Sequence, residues 1–257
     1  MPDYSGPFDR VFNEREVIYT WDEYVRLFDG VDGEKIIGEC SNSYFFFPAA
    51  LRRIREWLGD MKIVVMLRNP IERAYSHYRE MYSRGHERLA FRAALDAEDQ
   101  REKQGWRFHY QYRKQSLYAR RLSLCYELFG SERVSVQLFE DLEKDPLGLF
   151  RNLCLFLGAD PGFDGFEPCR ENVTLSARSR SLQAALTGSR RFSKLAHMML
   201  PESLRRRLYQ GVLRLNSREN PYNPPLEEET AGELCRYFAE DIKEVEQMLD
   251  RDLSEWK

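Results

Sequence analysis

Residues 62–78 read KIVVMLRNPIERAYSHY, and this run limits the chain to folds in which a buried strand feeds straight into a helix. Ile63, Val64, Val65, Met66 and Leu67 are consecutive apolar residues, mostly β-branched, a pattern that predicts a strand of a parallel sheet buried on both faces and ending at Arg68. Asn69 can cap a helix with its side-chain oxygen, and Pro70 suits the first helical position, where no N–H is needed. Glu72 falls three residues after the cap, in capping-box spacing.

In open α/β sheets ligands gather at the carboxyl ends of strands, and a helix N-terminus draws anions through its free N–H groups and its dipole. Arg68 occupies that place. Ser76 lies two helical turns after Asn69 and shares a face with it and with Arg73. A guanidinium and a hydroxyl around one opening suit a phosphate, which accepts a bidentate Arg and further hydrogen bonds. The alternative from the same residues is an ordinary salt bridge at Arg68 and a packed Ser76.

The rest of the chain supplies sheet and cover. Thr20 and Glu23 form a capping box ahead of Trp21, Tyr24, Val25 and Phe28 at helical spacing. Residues 35–40 read as a second buried strand, and Pro48 opens a helix that Gly59 stops. Further helices are expected over 116–129 and 146–157 and around Phe91, Ala94, Leu95 and Glu98, with a final long helix and tail over 226–256 and a third strand over 134–139. Two successive strand–helix–strand steps predict an α/β fold with a parallel sheet covered by helices.

Composition excludes more than it assigns. The 257 residues are 42% hydrophobic, enough for a sizeable core, and their charges nearly cancel at −3. The first residues, MPDYSGPFDRVF, have neither the basic start nor the apolar run of a signal peptide, and no apolar stretch reaches the roughly 18–20 residues that span a bilayer. Five scattered cysteines predict a reducing, cytoplasmic setting, and neither they nor the four histidines show metal-ligand spacing. His86 and His109 are candidate general bases, since imidazole titrates near neutral pH, or ordinary structural histidines. Residues 178–218 hold ten basic side chains against one acidic, and residues 227–256 eleven acidic against three basic. The basic segment suits an anionic acceptor, polyanion or lipid headgroup, or it is screened by the acidic helix. It lacks the aromatic interleaving of a nucleic-acid surface.

The string LRNPIERAYSHY resembles the 3'-phosphate-binding segment of sulfotransferases that use 3'-phosphoadenosine 5'-phosphosulfate (PAPS), especially the carbohydrate-type and bacterial enzymes. That resemblance implies that Arg68 and Ser76 hold the 3'-phosphate, that PAPS is the co-substrate with no metal, and that the acceptor is a hydroxyl or amine. It implies a P-loop-NTPase-like parallel sheet flanked by helices, with a helical C-terminal part, in a single domain over residues 1–257. LFEDLEKDP with the following FLG, the segment SARSRS and the ending DRDLSEW extend the similarity from about Trp21 to Trp256. SARSRS makes Arg178 a further candidate for the nucleotide. Gly38 to Tyr44 keeps the frame of the family's Gly–Glu–Lys–Ser/Thr–Pro–x–Tyr string, with Cys40 in place of the lysine and Asn42 in place of the proline. Glu39 is then a candidate general base or a structural acceptor for backbone N–H groups.

Family members begin with a strand and a Lys–x–Gly–Thr–Thr loop that binds the 5'-phosphosulfate, and no such string occurs in this sequence. The expectation is a sulfotransferase fold incomplete at its N-terminus, either a truncated enzyme or an inactive relative that only binds 3'-phosphoadenosine nucleotides. A polyanion or membrane-surface module using residues 178–218 is the remaining alternative, without stable insertion into the bilayer. Carbohydrate, lipid-linked and small-metabolite acceptors all stay open.

Overall fold

The computed structural model describes residues 18, 20–163, 165–166, 175–177, 217–219 and 225–257. The chain divides into two compact units: Ile18–Ala74 with Arg113–Cys169 and Glu228–Lys257, and Met1–Val17 with Tyr75–Tyr112 and Arg170–Glu227.

The first unit is built on two strands, β1 (Ile63–Leu67) and β2 (Val134–Leu138), paired parallel from Ile63↔Val134 to Leu67↔Leu138. The helical connection between them permits the parallel sense, since a tight turn would force an antiparallel pair. Leu67 and Leu138 are buried at the carboxyl ends of the two strands.

Burial on β1 alternates, contrary to the two-faced burial expected from its composition. Val65 and Leu67 are buried, while Val64 and Met66 are 42% and 43% exposed. A run of five apolar residues permits burial on both faces, but only a covering layer imposes it, and the described residues cover one face.

The expected strand over residues 35–40 is also absent. The segment is irregular, Ile37 is 49% exposed, and Glu39 and Cys40 lie at the surface. A strand needs a ladder partner, and among the described residues β1 pairs with β2 alone. Of the two strand–helix–strand steps, the one from β1 to β2 therefore stands.

Helices start and stop where local chemistry directs. The Thr20–Glu23 capping box closes both of its hydrogen bonds, at 3.2 and 3.1 Å, ahead of α1 (Trp21–Val25). Helix α2 (Pro48–Leu58) ends at Gly59, whose φ of 70° favours glycine. Helix α3 (Pro70–Ser83) follows β1 after two residues, and its part from Tyr75 onward belongs to the second unit.

The helix expected from residue 116 instead comprises α6 (Tyr112–Gln115) and, after a break, α7 (Ala119–Phe129). At the break Asp241 accepts the N–H groups of Tyr118 (2.8 Å) and Ala119 (3.0 Å), fixing the new start from a remote helix. That remote helix, Glu228–Leu249, buries Leu234, Phe238, Ile242 and Val245 on one stripe. The helix ends at Leu249 and leaves a tail, as expected. Asp250 turns left-handed at φ 47°, and a short 3₁₀ turn, Ser254–Trp256, follows.

In the second unit the expected helix around Phe91 is split at Ala97 into α4 (Phe91–Asp96) and α5 (Glu98–Lys103). Arg101 is buried there and donates to both oxygens of the buried Glu87, at 2.6 and 3.0 Å, while Tyr112 donates its hydroxyl to Glu87 at 2.8 Å. Leu175–Ala177 and Ser217–Glu219 form a short antiparallel pair in this unit.

One-sided burial of β1 has a direct consequence. Leu67→Ala should cost about 2–5 kcal/mol of stability, whereas Met66→Gln should stay within about 1 kcal/mol of the parent. Urea titration of the two variants checks this, and equal losses would contradict an open face on β1.

Candidate functional site at the carboxyl end of the first strand

The turn after β1 is organised around Asn69. Its Oδ1 accepts the N–H groups of Ile71 (2.9 Å) and Glu72 (3.3 Å), so the helix cap forms as the sequence predicts. The reciprocal half of the capping box does not form. Glu72 turns its carboxylate to Arg68, which donates from Nε (3.1 Å) and Nη2 (2.9 Å) to a single oxygen, Glu72 Oε2. The N–H of Asn69 is instead accepted by Glu140 Oε1 at 2.9 Å, from the residues just past β2. A carboxylate from just past the neighbouring strand thus takes over the role that spacing assigned to Glu72.

Arg68 is half-buried, with its guanidinium carbon 4.8 Å from the centre of the Phe139 ring. Phe139 and Glu72 hold one face and one edge of the guanidinium. Nη1 makes no hydrogen bond among the described residues, which leaves a donor edge for a ligand.

The carbonyl of Arg68 accepts the Tyr118 hydroxyl at 3.0 Å. Burial pushes the pKa of that hydroxyl up, outweighing the pull of the nearby Arg73 charge, so it stays protonated and donates. Trp256 donates its indole N–H to Glu140 Oε1 at 3.0 Å, and its ring meets Tyr118 edge-on at 6.2 Å. Arg73 donates to Ser116 Oγ at 3.2 Å and to Gln115 Oε1 at 3.4 Å.

The other expected site residues fall out as follows. Ser76 is half-buried on the Pro70–Ser83 helix, in the stretch belonging to the second unit. Glu39 is exposed in the irregular segment, where its charge adds to burial in raising the pKa of Tyr24. Arg178 and nearly all of the basic segment lie outside the described residues. Burial lowers the pKa values of His86 and His109, the latter to about 4, so both imidazoles are neutral at pH 7. His77 Nε2 lies 2.8 Å from the carbonyl of His109.

Glu140, Tyr118 and Trp256 were not singled out from the sequence. The acidic dipeptide after β2 and the tryptophan near the chain end were visible, but nothing local says that they meet.

The second unit contains a cavity of about 390 Å³ lined by residues that include His86, Glu87, Gln100, Arg101, Gln104 and Trp106. Its buried guanidinium, Arg101, is already paired with Glu87, so that charge is compensated within the protein. The described residues contain no cluster of His, Cys, Asp or Glu suited to a metal ion. Their cysteines, Cys40, Cys125, Cys154 and Cys235, are free, and no helix among them is long and apolar enough to cross a membrane.

Residues 21–164, which carry the strand, the capped helix and the Glu140 contact, match the model of a sulfotransferase family. The chain belongs to that family. A solved structure, a sulfotransferase from Alicyclobacillus acidocaldarius, is 30% identical over 99% of this chain and 80% of its own, with a TM-score of 0.73. No curated protein matches the chain. As a sulfotransferase family member with this α/β fold, the chain places its parallel pair and the Arg68 turn inside the matched region.

The Glu87–Arg101 pair generates a pH expectation. Burial works against the Glu87 charge, but Arg101, the Leu89 N–H and the Tyr112 hydroxyl together hold its carboxyl below the usual range. A depressed native pKa means that the unfolded chain binds the proton more readily. The pair's stabilisation is therefore complete above the ordinary glutamate range and is lost as pH falls through the native value. Glu87→Gln should be destabilised by about 3–5 kcal/mol at pH 7, since it strands a buried cation, and the gap to the parent should close as pH falls through the lowered native value of Glu87. Thermal melts across this range test it, and a gap independent of pH would count against the coupling.

Proposed function

We propose that this chain moves a sulfuryl group from PAPS to a hydroxyl or amine acceptor, with Arg68 and Ser76 holding the 3'-phosphate of the nucleotide. The observation that carries the reading is the setting of Arg68. It stands at the carboxyl end of a parallel strand, one residue before a capped helix, with its guanidinium oriented by Phe139 and a donor edge unspent.

The competing reading, that Arg68 exists for its ion pair with Glu72, is weighed by magnitude. That pair joins side chains 33% and 58% exposed at i,i+4 spacing. Such a pair is worth about 0.3–0.5 kcal/mol. Charge-assisted hydrogen bonds to a phosphate dianion contribute about 1.5–3 kcal/mol each, so a nucleotide outcompetes Glu72 or shares the guanidinium with it.

Transfer forms a bond from the acceptor oxygen or nitrogen to sulfur, breaks the sulfur–oxygen bond to the 5'-phosphate, and releases adenosine 3',5'-bisphosphate and a proton. Glu39 is the candidate to receive that proton, and its exposure gives a diffusing acceptor access to it. Cys40, where the family carries lysine, supplies no fixed positive charge, so stabilisation of the leaving phosphate has to come from elsewhere.

Calorimetry with adenosine 3',5'-bisphosphate tests the assignment. Arg68→Ala should weaken binding at least tenfold, equivalent to about 1.4 kcal/mol. Unchanged affinity would remove the basis of the reading. Tight binding without turnover of PAPS across carbohydrate, lipid-linked and small-metabolite acceptors would favour a nucleotide-binding relative over an enzyme.

A further inference from the structure

We infer that Tyr118, Glu140 and Trp256 are positioning residues that clamp a single peptide group, the one joining Arg68 to Asn69, and thereby set the affinity for the 3'-phosphate. The inference rests on the assignment of Arg68 to that phosphate.

The carbonyl of Arg68 and the N–H of Asn69 belong to one planar unit and point in opposite directions across it. Each is held by a side chain distant in sequence. Tyr118 donates to the carbonyl at 3.0 Å, and Glu140 Oε1 accepts the N–H at 2.9 Å. Anchoring both edges prevents the plane from rotating, which fixes ψ of Arg68 and φ of Asn69. Those two angles decide where the guanidinium projects from the strand and whether the Asn69 side chain can cap the helix.

Trp256 stands behind both anchors. Its indole N–H donates to the same Glu140 oxygen at 3.0 Å, its ring contacts the Tyr118 ring, and it is 2% exposed. Asp241 steadies Tyr118 from the other side by accepting its backbone N–H. Neither the strand nor the helix supplies a partner for this peptide. Without the clamp it sits between two elements whose own hydrogen bonds stop short of it.

The test compares two nucleotides that differ in the 3'-phosphate. The full-length protein and its Trp256→Phe and Tyr118→Phe variants are titrated with adenosine 3',5'-bisphosphate and with adenosine 5'-monophosphate, and melting curves are recorded alongside. Each variant removes one donor and keeps an aromatic ring. Each should lose about fivefold in affinity for the bisphosphate, the scale of one net hydrogen bond, with little change for the monophosphate. Because both act on one peptide group, the double variant should lose less than the product of the single losses. Glu140→Gln, which keeps an acceptor oxygen, should retain more bisphosphate affinity than Glu140→Ala.

Equal losses for both nucleotides would mean general destabilisation and overturn the inference. So would unchanged bisphosphate affinity in the two aromatic variants while Arg68→Ala weakens it, an outcome that leaves the Arg68 assignment standing. If Arg68→Ala has no effect, the assignment itself falls and the clamp with it. If Trp256→Phe does not fold at the assay temperature, Tyr118→Phe is read by the same criteria.

Discussion

The parallel register of β1 against β2 is the constraint on which the candidate site depends. Pairing Leu67 with Leu138 brings the residues that follow each strand side by side, so Arg68 and Asn69 meet Phe139 and Glu140. A one-residue slip would exchange the two faces of the strand, burying Val64 and Met66 in place of Val65 and Leu67. It would also carry Glu140 away from the Asn69 N–H. Core packing and site geometry are thus fixed by the same register.

Hydrogen bonding at the turn shows how the fold handles polar groups that neither element satisfies. Glu140 concentrates two N–H groups on Oε1, while Oε2 is buried without a protein partner among the described residues. An unmet buried acceptor costs about 1–3 kcal/mol, so the two bonds at Oε1 must offset it. Asp241 is a milder case. Burial raises its pKa, and the N–H groups of Tyr118 and Ala119 oppose that rise without cancelling it. In both, a carboxylate from one element completes the backbone of another, and both come close to Tyr118 or its peptide.

The two units solve the same problem with different means. Around β1 the buried polar contacts are mostly side chain to backbone, and they fix where elements begin. In the second unit Glu87, Arg101 and Tyr112 form a side-chain network, with Trp106 and Tyr110 stacked against the guanidinium at 4.8 and 5.2 Å. Such a network is costly to break, because removing one member strands a buried charge. Two of its members, Glu87 and Arg101, line the cavity of this unit.

The sequence by itself determined the local units: the β1 boundaries at Ile63 and Leu67, the Asn69 cap with Pro70, the Thr20–Glu23 box, the stop at Gly59 and the helical stripe from Leu234 to Val245. Each follows from residues within a turn or two of one another. The match of residues 21–164 to the sulfotransferase family agrees with the motif that starts at Leu67. Tertiary structure alone decided which face of β1 is covered, that residues 35–40 find no ladder, that α7 waits for Asp241 before starting, and that Glu140 rather than Glu72 receives the Asn69 N–H. The last two depend on partners 123 and 71 residues away, and periodicity or spacing within a segment carries no information about groups that meet only when the chain has packed.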